Sequence, residues 1–253
     1  MITRTQLKKL HKEKLPLHIL EQDYIQALIL IELYNQTESL VFKGGTLLKH
    51  AYGLDRYSED LDFTQTTKKN HKNTLKKTTK KLLIYGIEAE LKDTIETKQT
   101  LKTRLSYQGP LYTGLSKTKG RVEIEISKRN DILLGGEWTR LFFKYPEASV
   151  VNCLSMKKPE IMAEKLRALS MREKPRDLYD IWYLMKQGVN INEDLYWAKM
   201  KAVKINPEIK ITIDEKQWNQ DLNNLLEKPP PYKLVEEEIK KEIRKTKIRI
   251  LDA

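Results

Sequence analysis

The stretch Phe42-Lys43-Gly44-Gly45-Thr46-Leu47-Leu48-Lys49, followed by Arg56-Tyr57-Ser58-Glu59-Asp60-Leu61-Asp62-Phe63, decides how this chain is read. The apolar run Leu40-Val41-Phe42 reads as a buried strand, the glycine pair as a turn, and Thr46 to about Tyr52 as a helix. Asp60-Leu61-Asp62-Phe63 alternates charged and apolar residues in the manner of a strand. Residues two apart on a strand point the same way, so both carboxylates project together about 7 Å apart. Such a pair repels itself unless a cation lies between, and a hard divalent ion with oxygen ligands is the natural occupant. Glycines permit close backbone approach, and a helix starting at Thr46 offers free N–H groups and a hydroxyl to a phosphate. Each piece alone suits a tight turn or a solvated strand. Their combination points to phosphate and metal chemistry.

Working outward, the first forty residues read as helix interrupted at Pro16, with Tyr24, Leu28, Ile31 and Leu33 marking the second segment. Residues 68–84 read as a helix whose first part carries seven lysines and no acid. Strands are expected at Ile87–Lys92, Thr100–Tyr107 and Arg121–Ser127, the last with period-two alternation through Val122-Glu123-Ile124-Glu125-Ile126. From Lys158 onward the pattern is nearly all helical. Pro229-Pro230-Pro231 sets off a last helix from about Lys233 to Lys245, and Ile248–Leu251 reads as either a strand or a frayed end. The expected fold is α+β: a mixed sheet with flanking helices in a lobe over residues 1–150, then a helical bundle over 151–253.

Two further groups of residues carry chemistry. Glu123 and Glu125 share the polar face of their strand, and either would add a third carboxylate if brought beside Asp60 and Asp62. In Glu160–Leu169, Lys165 lies on the edge of the apolar stripe formed by Ile161, Met162, Leu166 and Leu169, so it must snorkel to water or reach an anion. Asp177 and Asp180 follow in the first turn of a helix that Pro175 opens, where acids complement the helix dipole. Arg172 and Arg176 stand nearby in sequence.

Composition narrows the classes. Across 253 residues, 47 Lys+Arg against 35 Asp+Glu give a net charge of +12, which suits a polyanionic partner. The single Cys153 excludes an internal disulfide framework and a multi-cysteine zinc site, and four scattered histidines disfavour a histidine-built metal site. No apolar run approaches a membrane span, and the N-terminus lacks a signal-peptide core, so the expected location is the cytoplasm. The lysines of 68–81 and the acid-free stretch Thr97–Val122 suggest an RNA-facing surface, with Tyr107 and Tyr112 as stacking candidates.

The paired motifs Phe42–Lys49 and Arg56–Phe63 resemble the first motif of the AbiEii toxin family, within the DNA polymerase β-like nucleotidyltransferase superfamily. Ala163–Leu169 with Arg172 and Arg176-Asp177-Leu178-Tyr179-Asp180 is similar to its later motif, and Val122–Ser127 to its intervening strand. The resemblance implies that Gly44, Gly45, Thr46, Arg56, Ser58 and Lys165 bind the nucleoside triphosphate, with Lys43 in support. Asp60 and Asp62 would hold Mg²⁺, or Mn²⁺ in its place, with Glu125 as third carboxylate and Glu123 as its less favoured alternative. Lys165 would stabilise charge on the triphosphate. Asp177 with Asp180 would either orient Lys165 and Arg172 or assist proton removal, and Arg176 would support them. The implied activity is toxin-type transfer of a nucleoside monophosphate to RNA, at the 3′ end of tRNA, with a cognate antitoxin as a further partner. Transfer to a small-molecule or protein hydroxyl, or a non-catalytic RNA- or partner-binding role, are the alternatives.

Overall fold

The computed structural model describes residues 1–10, 16–129, 131–201, 203 and 208–251. The chain divides into two units: residues 1–130 with 136–155, and residues 131–135 with 156–253.

In the first unit, α1 (Arg4–Lys9) is opened by a Thr3/Gln6 capping box. Helix α2 (Leu17–Tyr34) starts directly after Pro16 and is buried along most of its length. The first motif then forms β1 (Leu40–Lys43) and α3 (Gly44–Tyr52). Helix α3 begins two residues before the expected Thr46, because Gly44 takes a left-handed φ of 80° that leaves room for a very tight turn. Strand β2 (Asp60–Gln65) carries the aspartates. Helix α4 (His71–Lys81) is shorter than expected: the Asn70 side chain caps its start, and a 3-10 turn over Leu82–Tyr85 closes at Gly86. Five further strands follow, namely β3 (Glu88–Glu96), β4 (Thr100–Gln108), β5 (Gly120–Ser127), β6 (Gly136–Tyr145) and β7 (Ala148–Met156).

These strands make one mixed sheet in the order β3-β4-β5-β2-β1-β7-β6. Strand β2 is antiparallel to β1 and parallel to β5, while β1 and β7 are parallel. Alternation fixes the two faces. Leu61, Phe63, Phe42, Ile124 and Ile126 point to the side covered by α2 and α3, where the Phe42 and Phe63 rings stand 5.1 Å apart. The register puts Asp60, Asp62, Glu123 and Glu125 together on the opposite face.

The second unit contains α5 (Lys158–Arg172), α6 (Pro175–Lys186), α7 (Glu193–Lys201), α8 (Glu215–Leu222) and α9 (Tyr232–Arg244). Its core gathers Trp218 against Tyr179 and Tyr232. Ile250–Leu251 (β9) is a strand, not a frayed end, because it pairs in parallel with β8 (Ile209–Lys210), a partner some forty residues away. The described residues thus contain nine α-helices and a seven-stranded mixed sheet, an α+β fold.

Candidate functional site

The glycine turn and the aspartate strand interlock atom by atom. A β-carbon on Gly44 would collide with the Asp62 carboxylate, and one on Gly45 with the Arg56 guanidinium and, at 2.8 Å, with Ser58 Oγ. The Thr46 hydroxyl donates to the Asp60 carbonyl at 2.6 Å, and Thr46 is buried. Its single proton is therefore committed to holding α3 against β2. Arg56 is also buried and donates to the Tyr57 carbonyl at 2.9 Å. From α2, Gln26 donates to the Ser58 carbonyl, and Gln22 donates to the carbonyls of Glu59 and Arg121, fixing the entries to β2 and β5. These glutamines carried no sequence signal, since nothing marks which polar positions of an apolar helix face inward.

Across the polar face of the sheet, Lys43, Asp62, Glu125 and Lys102 form one register row, and Asp60, Glu123 and Arg104 the next. Glu123 is held by Arg104, whose Nε donates at 2.7 Å while Nη1 reaches Asp93. Among the described residues, no hydrogen bond or ion pair engages the Glu125 carboxylate, which stands beside Asp62 in register. The donor set is entirely oxygen and suits a hard divalent cation. No three histidine, cysteine, aspartate or glutamate side chains among the described residues gather closely enough to hold a metal by themselves. Asp60, Asp62 and Glu125, on one face in register, are the carboxylates that could share in holding such an ion, with substrate phosphate oxygens completing its shell. Lys43, at the start of helix α3, makes no side-chain capping hydrogen bond to the helix's first N–H groups.

In the second unit, the link Glu173-Lys174 and Pro175 at the start of α6 turn the chain sharply between α5 and α6. Lys165 thereby reaches Asp177 at 3.1 Å and Asp180 at 2.7 Å. Arg172 grips both oxygens of Asp177, at 2.7 and 3.0 Å. Both aspartates are fully buried. Burial would push the Asp177 carboxyl upward, but Lys165 and Arg172 outweigh it and hold the group well below the usual carboxylate range. Arg176 joins Asp221 of α8 at 3.2 Å.

The model of the family described as nucleotidyl transferase AbiEii toxin, type IV toxin–antitoxin system, matches residues 28–245. The chain belongs to the AbiEii family. Its members are nucleotidyltransferase toxins, which makes this chain an enzyme of that class. Among solved structures, it is similar to MenT4, a nucleotidyltransferase toxin from Mycobacterium tuberculosis H37Rv, at 19% identity and a TM-score of 0.69, covering 96% of this chain and 88% of that one. It is also similar to JHP933 from Helicobacter pylori, at 21% identity and a TM-score of 0.52, covering 91% and 97%. At these identities the likeness carries the fold. No curated protein matches the chain significantly.

One expectation changes in this AbiEii chain. Tyr107 is 1% exposed and packed so tightly beside Gly120 that a β-carbon there would strike its ring, so it is not available to stack on a base. A buried cluster that sequence reading missed lies in the first unit. Asp23 accepts from Lys49 at 2.5 Å, His50 at 3.0 Å and the Tyr145 hydroxyl at 2.6 Å. It ties α2 to α3 and β6, and its only trace in the sequence is an acid inside an apolar helix. No helix among the described residues is long and apolar enough to cross a membrane.

Proposed function

We propose that this chain transfers a nucleoside monophosphate from a nucleoside triphosphate to an RNA hydroxyl, at the 3′ end of tRNA, with Mg²⁺ as its metal. The observation that carries the reading is the interlock of Gly44 with Asp62 and of Gly45 with Arg56 and Ser58. It sets an uncapped helix start beside an oxygen-only carboxylate pair, which suits a triphosphate–metal complex. Asp60 and Asp62 are the proposed metal ligands. Glu125 is the proposed third carboxylate, since Glu123 is neutralised by Arg104. When bound, the ion supplies charge neutralisation along the triphosphate.

The chain's own residues position and hold. The first turn of α3 takes phosphate oxygens, Arg56 and Ser58 brace that turn, and Thr46 fixes its distance from β2. Lys165 is the proposed phosphate contact of the later motif, with Arg172 beside it. Asp177 is the residue that orients both. A carboxyl held so far below its ordinary range is a poor proton acceptor near neutrality, which favours orientation over base catalysis. The net charge of +12 and the lysines of 68–81 suit a polyanionic acceptor, and the family implies an antitoxin partner. Incubation of purified protein with labelled nucleoside triphosphates, Mg²⁺ and total tRNA is expected to label tRNA with release of pyrophosphate. Labelling of a small molecule or protein with tRNA untouched would refute the acceptor.

A further inference from the structure

Strand β6 closes one edge of the sheet, and its two faces differ sharply. Leu141, Phe143 and Tyr145 are buried, with Phe143 against His50 of α3. The alternate residues Trp138, Arg140, Phe142 and Lys144 are all exposed, Trp138 at 60% and Phe142 at 62%. Large aromatic rings so open to water are unusual for a solitary surface. Here they are interleaved with cations, and this face of β6 and β7 carries no acid.

The register shows which side of the sheet they occupy. Lys43 pairs with Asp62, and Phe42, on the opposite side, pairs with Ser155. The Ser155 and Thr139 hydroxyls touch at 2.6 Å, which puts Thr139 on the Phe42 side. Trp138, Arg140, Phe142 and Lys144 therefore share the face of Asp60 and Asp62, three strand spacings or about 14 Å from β2.

We infer that this face of β6 is a platform for single-stranded RNA, leading the acceptor end toward the carboxylate pair. Trp138 and Phe142, four residues and about 13 Å apart, each offer a ring to a separate base, and Arg140 between them meets the connecting phosphate. Stacking is indifferent to base identity because every base has a π-face, so the platform sets direction along the strand and not sequence. An acidic protein segment would complement Arg140 but leave no reason for rings on either side of it at strand spacing. This inference rests on the proposal of an RNA acceptor.

The test measures binding of a short labelled single-stranded RNA to the full chain by fluorescence anisotropy at low salt, alongside nucleotide transfer to RNA. Trp138→Ala with Phe142→Ala is expected to weaken RNA binding at least about tenfold with the melting temperature unchanged. Trp138→Phe should hold affinity within about threefold, since a stacking ring remains. Arg140→Glu should weaken binding and flatten its salt dependence. RNA should quench Trp138 emission in the wild type and not in Trp138→Phe. If the wild type labels RNA while the double variant binds it equally well, the platform is wrong and the acceptor reading stands. If the wild type neither binds nor labels RNA, the acceptor reading itself fails. Loss of self-association in the double variant, with RNA binding intact, would overturn the platform in favour of a protein interface.

Discussion

Asp60 and Asp62 on one side, and Asp177 and Asp180 on the other, are two aspartate pairs with opposite surroundings. The first pair projects from a strand at spacing two, with Asp60 exposed and Asp62 half-buried. The second lies at helical spacing three, fully buried, with Lys165 shared between its members and Arg172 clamped on Asp177. A buried anion must be matched by the protein itself, because water is not there to solvate it. The contrast separates a water-accessible pair, the proposed metal ligands, from a buried pair that holds Lys165 and Arg172 in position.

The largest effect should come from the open pair. Asp62→Asn is expected to lower nucleotide transfer by about 10²–10³-fold, the scale of removing a principal charge contact at a reacting centre. Its melting temperature should stay near that of the wild type. A large loss of stability with activity per folded molecule preserved would reverse the assignment.

Next comes the buried pair. Asp177→Ala strands Lys165 beside a single aspartate and should destabilise the chain by about 3 kcal/mol or more, read from chemical denaturation. An unchanged denaturation midpoint would mean that the ion pairs do not hold α5 to α6.

A smaller effect is expected at the turn. Gly44→Ala imposes a left-handed backbone on a residue with a β-carbon, at about 1–2 kcal/mol, and pushes against the Asp62 carboxylate. Activity should fall further than stability alone explains, and comparing kcat with the fraction folded distinguishes the two.

The mildest test is pH. Burial keeps His50 below its ordinary pKa despite Asp23 beside it, so the unfolded chain takes up this proton first. Stability should begin to fall below about pH 6.5. It should fall again below about pH 4, as Asp23 and Asp177, both depressed by their cations, become protonated more readily unfolded than folded. A melting temperature flat from pH 7 to 5 would contradict the His50 assignment.

Local patterns made much of this legible in advance. The strand, turn and helix around Gly44-Gly45, the β5 alternation and the helical second half follow from periodicity and from glycine and proline chemistry, which act over a few residues. The aspartate pair on one strand face follows from the period of two alone. Three things depended on partners far along the chain. Glu123 and Glu125 look alike in sequence, and only the registers of β5 against β4 and β2 give the first to Arg104 and set the second beside Asp62. Tyr107 looks like a stacking ring until Gly120 comes to lie against it. Asp23 becomes the centre of a buried cluster only when α2, α3 and β6 pack together. A sequence by itself determines what a residue is able to do and which way it points along its own element. Which charge neutralises it and whether water reaches it depend on contacts that only the folded sheet and helices bring together.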